Sequence, residues 1–162
     1  MCSWRPHTHW RPRKGRGPSQ GWDTQINSPG RFRVLEGFAN AAVLDKETGL
    51  VWEQSPETIG FNWLDAQSHC NNQNVGGRFG WRLPTLQELA SFRDPTQSYP
   101  ALPSGHPFSN VGATTYWSAT TSASDSDVAW IVHIAIGGAG YGDKSLAFPA
   151  WCVRGGQGVD AQ

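Results

Sequence analysis

The order of its local patterns most constrains how this chain can fold. Segments with strand-like patterns come first and last, and two short helical segments followed by a long loop lie between them. A short hairpin, two helices, a long loop and an antiparallel β end are typical of an α+β domain. We therefore predict an α+β fold in which two helices pack on small antiparallel sheets.

The β-type segments are recognised by their alternation and their turns. Residues 42–53 predict a hairpin, because apolar residues flank a turn in which Gly49 can adopt a positive φ. In residues 128–136 one set of apolar residues alternates with a second set that includes His133, and this pattern predicts a longer strand. Three more strands are predicted at residues 31–35, 115–120 and 145–154.

Both helical segments carry start signals. Asn62 is a good N-cap for a helix that runs to about Asn72, and Trp63, Ala66 and Cys70 form its apolar face. Residues 85–88 form a capping box that starts the second helix, and Asp94-Pro95 stops it. The following stretch, up to residue 115, contains four prolines, and irregular segments of this length are usually functional or tightly packed.

Charge separates the chain into a tail and a domain. Residues 1–24 hold five basic residues and one acidic residue, and because the 162-residue chain is neutral, the remainder carries a net charge of −4. We predict a basic, poorly ordered tail over 1–24, one domain over 25–155 and a short tail over 156–162. A mildly acidic domain lacks the basic face that binds nucleic acid, so no nucleic-acid partner is predicted.

The sequence favours no membrane span and shows no secretory signal. No apolar run approaches the ~20 residues that a transmembrane helix needs. Residues 1–21 mix Trp, Pro, His and Arg, which interrupts any signal-peptide core. The sequence therefore does not indicate a route of export.

Two segments resemble ligand sites and are interpreted as turns or loops. Residues 137–142 are glycine-rich, but a strand-like segment follows them where a dinucleotide-binding loop requires a helix, so we predict a hairpin turn. Asp125 and Asp127 lie in an acidic loop that could hold Ca²⁺ with help from Asp143, although a solvated loop is favoured. No metal site and no cofactor are predicted.

Catalysis is not indicated. The sequence contains no nucleophile elbow, zinc-protease motif or phosphate-binding loop, and His69, His106 and His133 lie in separate segments. We predict that the chain is not an enzyme.

The three cysteines leave two alternatives open. Cys2 lies in the tail, whereas Cys70 and Cys152 lie among apolar residues of predicted regular elements. The odd count permits one bridge. Two buried free thiols remain the alternative.

Five segments, in order, resemble the Lcl C-terminal domain family. They are residues 48–52 (TGLVW), 63–70 (WLDAQSHC), 76–89 (GGRFGWRLPTLQEL), 116–119 (YWSA) and 152–155 (CVRG). The resemblance covers about residues 31–155. It implies a C-type-lectin-like fold, a Cys70–Cys152 disulfide, and placement on exported bacterial proteins.

The resemblance also implies a binding function. The family's adhesin member binds sulfated glycans as a trimer, but its basic ligand surface is not matched here, so we predict a glycan or protein ligand, with a homo-oligomer possible. We place recognition in the loops between residues 92 and 116 and between 120 and 127. The predicted ligand-binding residues are Tyr116, Trp117, Asp125, Asp127, Trp130 and Tyr141.

The predicted location is extracellular or periplasmic. The alternatives are an enzyme or accessory domain of the formylglycine-generating type, and a structural domain of a surface assembly. The paired reactive cysteines of the former are missing from this sequence, and so is the calcium signature of sugar-binding lectins.

Overall fold

The computed structural model describes residues 28–112 and 114–156. The helices are α1 (Ser28–Arg31), α2 (Trp63–Asn71) and α3 (Leu86–Ala90). The strands are β1 (Phe32–Val34), β2 (Ala42–Asp45), β3 (Val51–Glu53), β4 (Trp81–Arg82), β5 (Thr115–Thr121), β6 (Val128–His133), β7 (Gly138–Asp143) and β8 (Val153–Arg154). The α+β class is confirmed. The single helical turn α1 was not predicted from the sequence. The predicted tail over 1–24 lies outside the described residues.

Two antiparallel sheets organise the domain. The larger has the strand order β1-β2-β3-β8-β4, and the smaller has the order β5-β6-β7. The last strand, β8, pairs with both β3 and β4. The C-terminal end of the domain is thereby enclosed between segments from its first half.

The two predicted helix starts are confirmed by their hydrogen bonds. The Asn62 side chain accepts from the Asp65 N–H at the start of α2. At α3 the Thr85 hydroxyl accepts from the Glu88 N–H, while the Glu88 carboxylate accepts from the Thr85 N–H. These bonds satisfy donors that a helix start leaves unpaired.

The predicted C-terminal strands need correction. The strand that begins at Val128 ends at His133, and the glycine-rich segment forms β7 after a turn at residues 134–137, so residues 138–142 are not themselves a turn. Gly142 explains why this strand tolerates glycine: a Cβ there would lie 3.0 Å from the rings of both Trp117 and Phe148. The absence of a side chain lets those rings pack directly on the backbone.

The predicted strand over 145–154 is regular only in β8. Before it, residues 145–152 follow an irregular path with one bridge, from Phe148 to Phe61. Pro149 has no N–H to donate to a ladder, although its carbonyl accepts from the Trp117 N–H. This segment fills the space between the two sheets.

Aromatic side chains form two core clusters. In the first, the Phe92 ring stacks on Trp151 with centroids 4.9 Å apart and contacts Trp52 at 4.3 Å. The second contains Trp81, Trp117 and both cysteines of the domain. The long irregular loop is tightly packed, because Ala101, Leu102 and Phe108 are buried.

Within the described residues, no helix is both long enough and apolar enough to cross a bilayer.

Candidate functional site

The disulfide implied by the resemblance is present. Cys70 at the end of α2 is bonded to Cys152, next to β8, with the Cα atoms 5.3 Å apart. Both residues are fully buried. The bridge is therefore a structural tie and offers no thiol for chemistry.

Two of the predicted ligand-binding residues belong to the core. Tyr116 and Trp117 are fully buried, the former in the first cluster and the latter in the second. Burial raises the pKa of the Tyr116 hydroxyl to about 12, and the Trp117 indole N–H donates to the Phe61 carbonyl. Neither side chain has surface left for a ligand, which removes both from the candidate site.

Two other predicted residues form an exposed aromatic pair. Trp130 and Tyr141 face each other across β6 and β7, with ring centroids 4.0 Å apart. Trp130 is half-buried, whereas Tyr141 is 57% exposed. Together they present an apolar surface with one phenol hydroxyl at its edge.

The remaining predicted residues lie at or near a cleft. A cavity of about 560 Å³ opens between the start of α2 and the loop before β6. Its lining residues are Asn62, Trp63, Leu64, Ser126, Asp127, Lys144 and Ser145. Asp125 lies in the same loop, two residues before Asp127, and accepts a hydrogen bond from the Asp127 N–H.

Lys144 fixes the geometry of the cleft. Its ammonium nitrogen lies 4.0 Å from the centroid of the Trp63 ring, and it donates to the Ser126 carbonyl at 2.6 Å and the Thr121 hydroxyl at 3.1 Å. A cation over an indole face is attracted by the ring's electron density. The Trp63 indole N–H in turn donates to the Ser118 carbonyl. One wall of the cleft is thus held rigidly.

Backbone hydrogen bonds join the two sides of the cleft. The Trp63 N–H donates to the Lys144 carbonyl, and the Lys144 N–H donates to the Asp127 carbonyl. The helix start, the segment after β7 and the acidic loop are therefore connected by backbone hydrogen bonds. The cavity lining also includes the apolar Leu64 and the polar residues Asp127 and Ser145.

Asp125 in the acidic loop and Asp143 at the end of β7 each accept hydrogen bonds from the residue two positions later. The Asp143 carboxylate accepts from the N–H and hydroxyl of Ser145, and these bonds lower the pKa of its carboxyl group. Within the described residues, no three His, Cys, Asp or Glu side chains come together as a metal site would require. No calcium geometry supports the alternative in which Asp125, Asp127 and Asp143 share an ion.

The predicted residues form two patches on opposite faces of the smaller sheet. Side chains alternate along a strand, so Tyr141 faces away from the side on which Gly142 meets Trp117. Lys144 lies over the Trp63 ring, and Trp63 packs against the second core cluster, so the cleft lies on the side of that cluster. Sequence reasoning assigned Trp63 to a buried helix face and gave Lys144 no role, because only the fold brings them together.

A smaller pocket contains an unexpected buried acid. This cavity of about 240 Å³ is lined in part by Glu53, Glu57 and Gln73. Glu53 is only 5% exposed, and burial raises its pKa to about 7, although a hydrogen bond from the Cys152 N–H opposes the shift. The neighbouring Glu57 carboxylate raises it further. The sequence spacing of Glu53 from other carboxylates did not indicate that its side chain would be buried.

The histidines remain apart. The His69 ring stacks on Phe61, the His106 ring packs near Phe108, and His133 shares a hydrogen bond with Thr115. The three rings therefore lie in separate local environments.

Comparison with known proteins gives one family. The family model described as the Lcl C-terminal domain matches residues 41–154. No curated protein matches the chain.

Proposed function

The chain belongs to the Lcl C-terminal domain family, and from this premise we propose that it is a non-catalytic ligand-binding module with a C-type-lectin-like fold. Its ligand is a glycan or a protein met outside the bacterial cytoplasm. The proposal places recognition in the cleft between α2 and the acidic loop.

The composition of the cleft carries the proposal. Ligand sites combine apolar surface with a few fixed polar groups that orient the ligand. Here Leu64 is 67% exposed, and Asp127, which is also exposed, lines the same cavity. The contact between Trp63 and Lys144 and the backbone hydrogen bonds of these residues hold the cleft in place. Binding therefore costs less conformational entropy than it would in a flexible site. Sugar hydroxyls and peptide groups both fit such a mixed surface.

The non-catalytic part of the proposal is supported by the placement of reactive side chains. Nucleophilic catalysis requires a base within hydrogen-bond reach of a nucleophile. Cys70 and Cys152 are consumed by the buried disulfide, and His69, His106 and His133 lie in separate packing environments. This arrangement favours binding over an activity of the formylglycine-generating type.

The disulfide supports an extracellular or periplasmic location. Structural disulfides persist in oxidising compartments and are rare in the cytosol. The bridge joins the end of α2 to the residue before β8, so the fold benefits from a compartment that keeps it oxidised.

The test begins with glycan and protein arrays probed with the full chain. For a ligand found there, we expect Asp127→Asn and Leu64→Ala each to weaken binding at least about fivefold, which corresponds to about 1 kcal/mol for one lost contact. Both side chains are exposed at the cleft, and neither makes a side-chain hydrogen bond within the described residues, so stability should not change. Titration calorimetry measures the effect.

The matched control is Tyr141→Ala on the opposite face of the sheet. It removes an exposed aromatic ring without touching the cleft. Unchanged binding in this variant supports the cleft. Loss of binding in Tyr141→Ala, with Asp127→Asn unaffected, would move recognition to the aromatic pair, and failure of both arrays to yield a ligand would contradict the binding function.

A further inference from the structure

Strand β7 presents an open edge. All six of its residues pair with β6 on one side. On the other side, no backbone group in residues 28–112 or 114–156 pairs with the strand, apart from the Leu146 N–H, which closes a turn onto the Asp143 carbonyl. An unpaired edge of this length is a template for another strand.

The hydrogen bonds around the sheet identify the residues that face outward. The Ile134 N–H donates to the Thr114 carbonyl on the β5 side, so even-numbered residues of β6 bond toward β5 and odd-numbered residues bond toward β7. The β7 residues opposite those odd positions are glycines 138, 140 and 142. Ala139, Tyr141 and Asp143 therefore direct their backbone N–H and C=O groups to the outside.

The other edge of the same sheet is closed. The Trp117 N–H donates to the Pro149 carbonyl at 3.1 Å, and the Ala119 N–H donates to the Pro84 carbonyl at 2.7 Å. The pairing of β5 with β6 also shifts register, whereas that of β6 with β7 is continuous. Edge strands are normally protected by proline, lysine or a bulge, and β7 has none of these.

We propose that β7 is a self-association edge, through which two copies of the chain pair antiparallel and join their three-stranded sheets into one sheet of six strands. In an antiparallel pair, outward residues must oppose outward residues. A two-fold axis at Tyr141 satisfies this for all three outward residues, and the Asp143 carbonyl, which has two lone pairs, accepts the new bond beside the one from the Leu146 N–H. It places Tyr141 opposite Tyr141 of the second copy and Ala139 opposite Asp143.

Charge and apolar surface favour a second copy as the occupant. Asp143 is the only charged residue of β7, and the two-fold axis puts the two Asp143 carboxylates at opposite ends of the pairing, where they do not repel closely. The same axis brings the two exposed Tyr141 rings together and extends each Trp130–Tyr141 pair into a row of four aromatic rings. Aromatic cross-strand pairs stabilise antiparallel sheets. Isologous pairing of this kind is the commonest form of dimer.

The expected association is weak, because six residues per copy bury less surface than a permanent interface needs. We therefore expect a reversible monomer–dimer equilibrium of the full chain between micromolar and millimolar concentration. Sedimentation equilibrium measures it. Hydrogen exchange gives a second readout, since the outward amides of Ala139 and Tyr141 should become protected as concentration rises, while the inward amide of Gly140 is protected at every concentration.

Two variants test the edge by different means. Ala139→Pro removes an outward N–H without removing a bond to β6, and proline is tolerated where an edge N–H faces solvent. Tyr141→Lys places two ammonium groups opposite each other. Each is expected to lower the association constant at least about tenfold, or about 1.4 kcal/mol. Leu64→Lys, which adds the same charge on the other face, is the control and should leave association unchanged.

A chain that stays monomeric at millimolar concentration would overturn the proposal. So would a dimer that forms equally in all three variants, or whose Ala139 and Tyr141 amides exchange at the same rate at low and high concentration. If Ala139→Pro disturbs folding, Tyr141→Lys carries the test alone. None of these outcomes bears on ligand binding in the cleft, because the start of α2, the acidic loop and Lys144 of a single chain line the cleft.

Discussion

The two sheets of the domain are stabilised by different means. The five-stranded sheet consists of strands of two to four residues, and it is reinforced by the Cys70–Cys152 disulfide and by the ion pairs Arg31–Asp45 and Arg82–Glu88. The three-stranded sheet has strands of six or seven residues. None of the ion pairs found in the described residues involves its strands, and long backbone ladders hold it together.

Sequence distance explains the difference. In the three-stranded sheet each strand pairs with its neighbour along the chain, so little loop-closure entropy opposes pairing. In the larger sheet β8 must insert between β3 and β4, which lie far before it in sequence. A two-residue strand offers few backbone hydrogen bonds to offset that cost. The Cys70–Cys152 disulfide and the bonds of Arg82 to Glu88 and Gly155 lie where the pairing is short and distant.

The Arg82 side chain also connects three segments in and around the larger sheet. Arg82 donates to both oxygens of the Glu88 carboxylate and to the Gly155 carbonyl, and so links β4, the start of α3 and the chain after β8. Burial alone would raise the pKa of Glu88, but hydrogen bonds from Arg82 and Thr85 outweigh it and lower that pKa. One capping residue thus also stabilises the sheet.

Loss of the disulfide should give the largest effect. Replacing Cys70 and Cys152 together by Ser opens a loop with a sequence separation of 82 residues, and we expect the free energy of unfolding to fall by about 4–5 kcal/mol. Urea denaturation measures the loss. Hydrogen exchange should show that amides of β3, β4 and β8 lose more protection than those of β6. Equal loss of amide protection in both sheets would show that the disulfide stabilises the whole domain, contrary to the expectation that it stabilises mainly the larger sheet.

Glu53 should make the larger sheet sensitive to pH. Its native pKa is raised from 4.5 to about 7, mainly by burial, so the unfolded chain ionises this group first as pH rises, which stabilises the unfolded state relative to the native state. The contribution of Glu53 to stability is fully present below about pH 4.5 and is lost as pH rises to about 7. The loss is on the order of 3 kcal/mol.

Glu53→Gln is the matched variant, because an amide oxygen can still accept from the Cys152 N–H. We expect it to be more stable than the wild type at pH 8 and similar at pH 4.5. The two curves of unfolding free energy against pH should therefore diverge across this window. Parallel curves would mean that the Glu53 carboxyl is solvated more fully than its 5% exposure implies.

Local signals in the sequence predicted the parts of the fold that depend on neighbouring residues. The Asn62 cap, the Thr85–Glu88 capping box and the hairpin around Gly49 all satisfy hydrogen bonds within a few residues, and all are present. The prediction of a strand over residues 145–154 was wrong for the part before β8, because the path of that part is set by distant contacts with Phe61 and Trp117. Alternating apolar residues cannot reveal whether a pairing partner exists.

The candidate site was predicted less completely for the same reason. Asp127 and the Trp130–Tyr141 pair lie on the surface, as expected, but Tyr116 is buried in the first core cluster and Trp117 in the second. An exposed and a buried aromatic residue look the same in an alternating strand. The contact of Trp63 with Lys144 joins residues from either end of the domain and leaves no local trace in the sequence.

A pair of glycine substitutions tests whether packing, rather than added ties, stabilises the smaller sheet. In Gly142→Ala the new Cβ would lie 3.0 Å from Trp117 and Phe148, both held in the second cluster, so we expect a loss of about 1–2 kcal/mol from overpacking. In Gly140→Ala the nearest atom is the His133 Nε2 at 3.3 Å, at the end of a side chain. There the reduced entropy of the unfolded chain should offset the contact and leave stability within about 0.5 kcal/mol. Thermal and urea unfolding distinguish the two results. Equal effects at both positions would mean that strand propensity, and not contact with the core, governs β7.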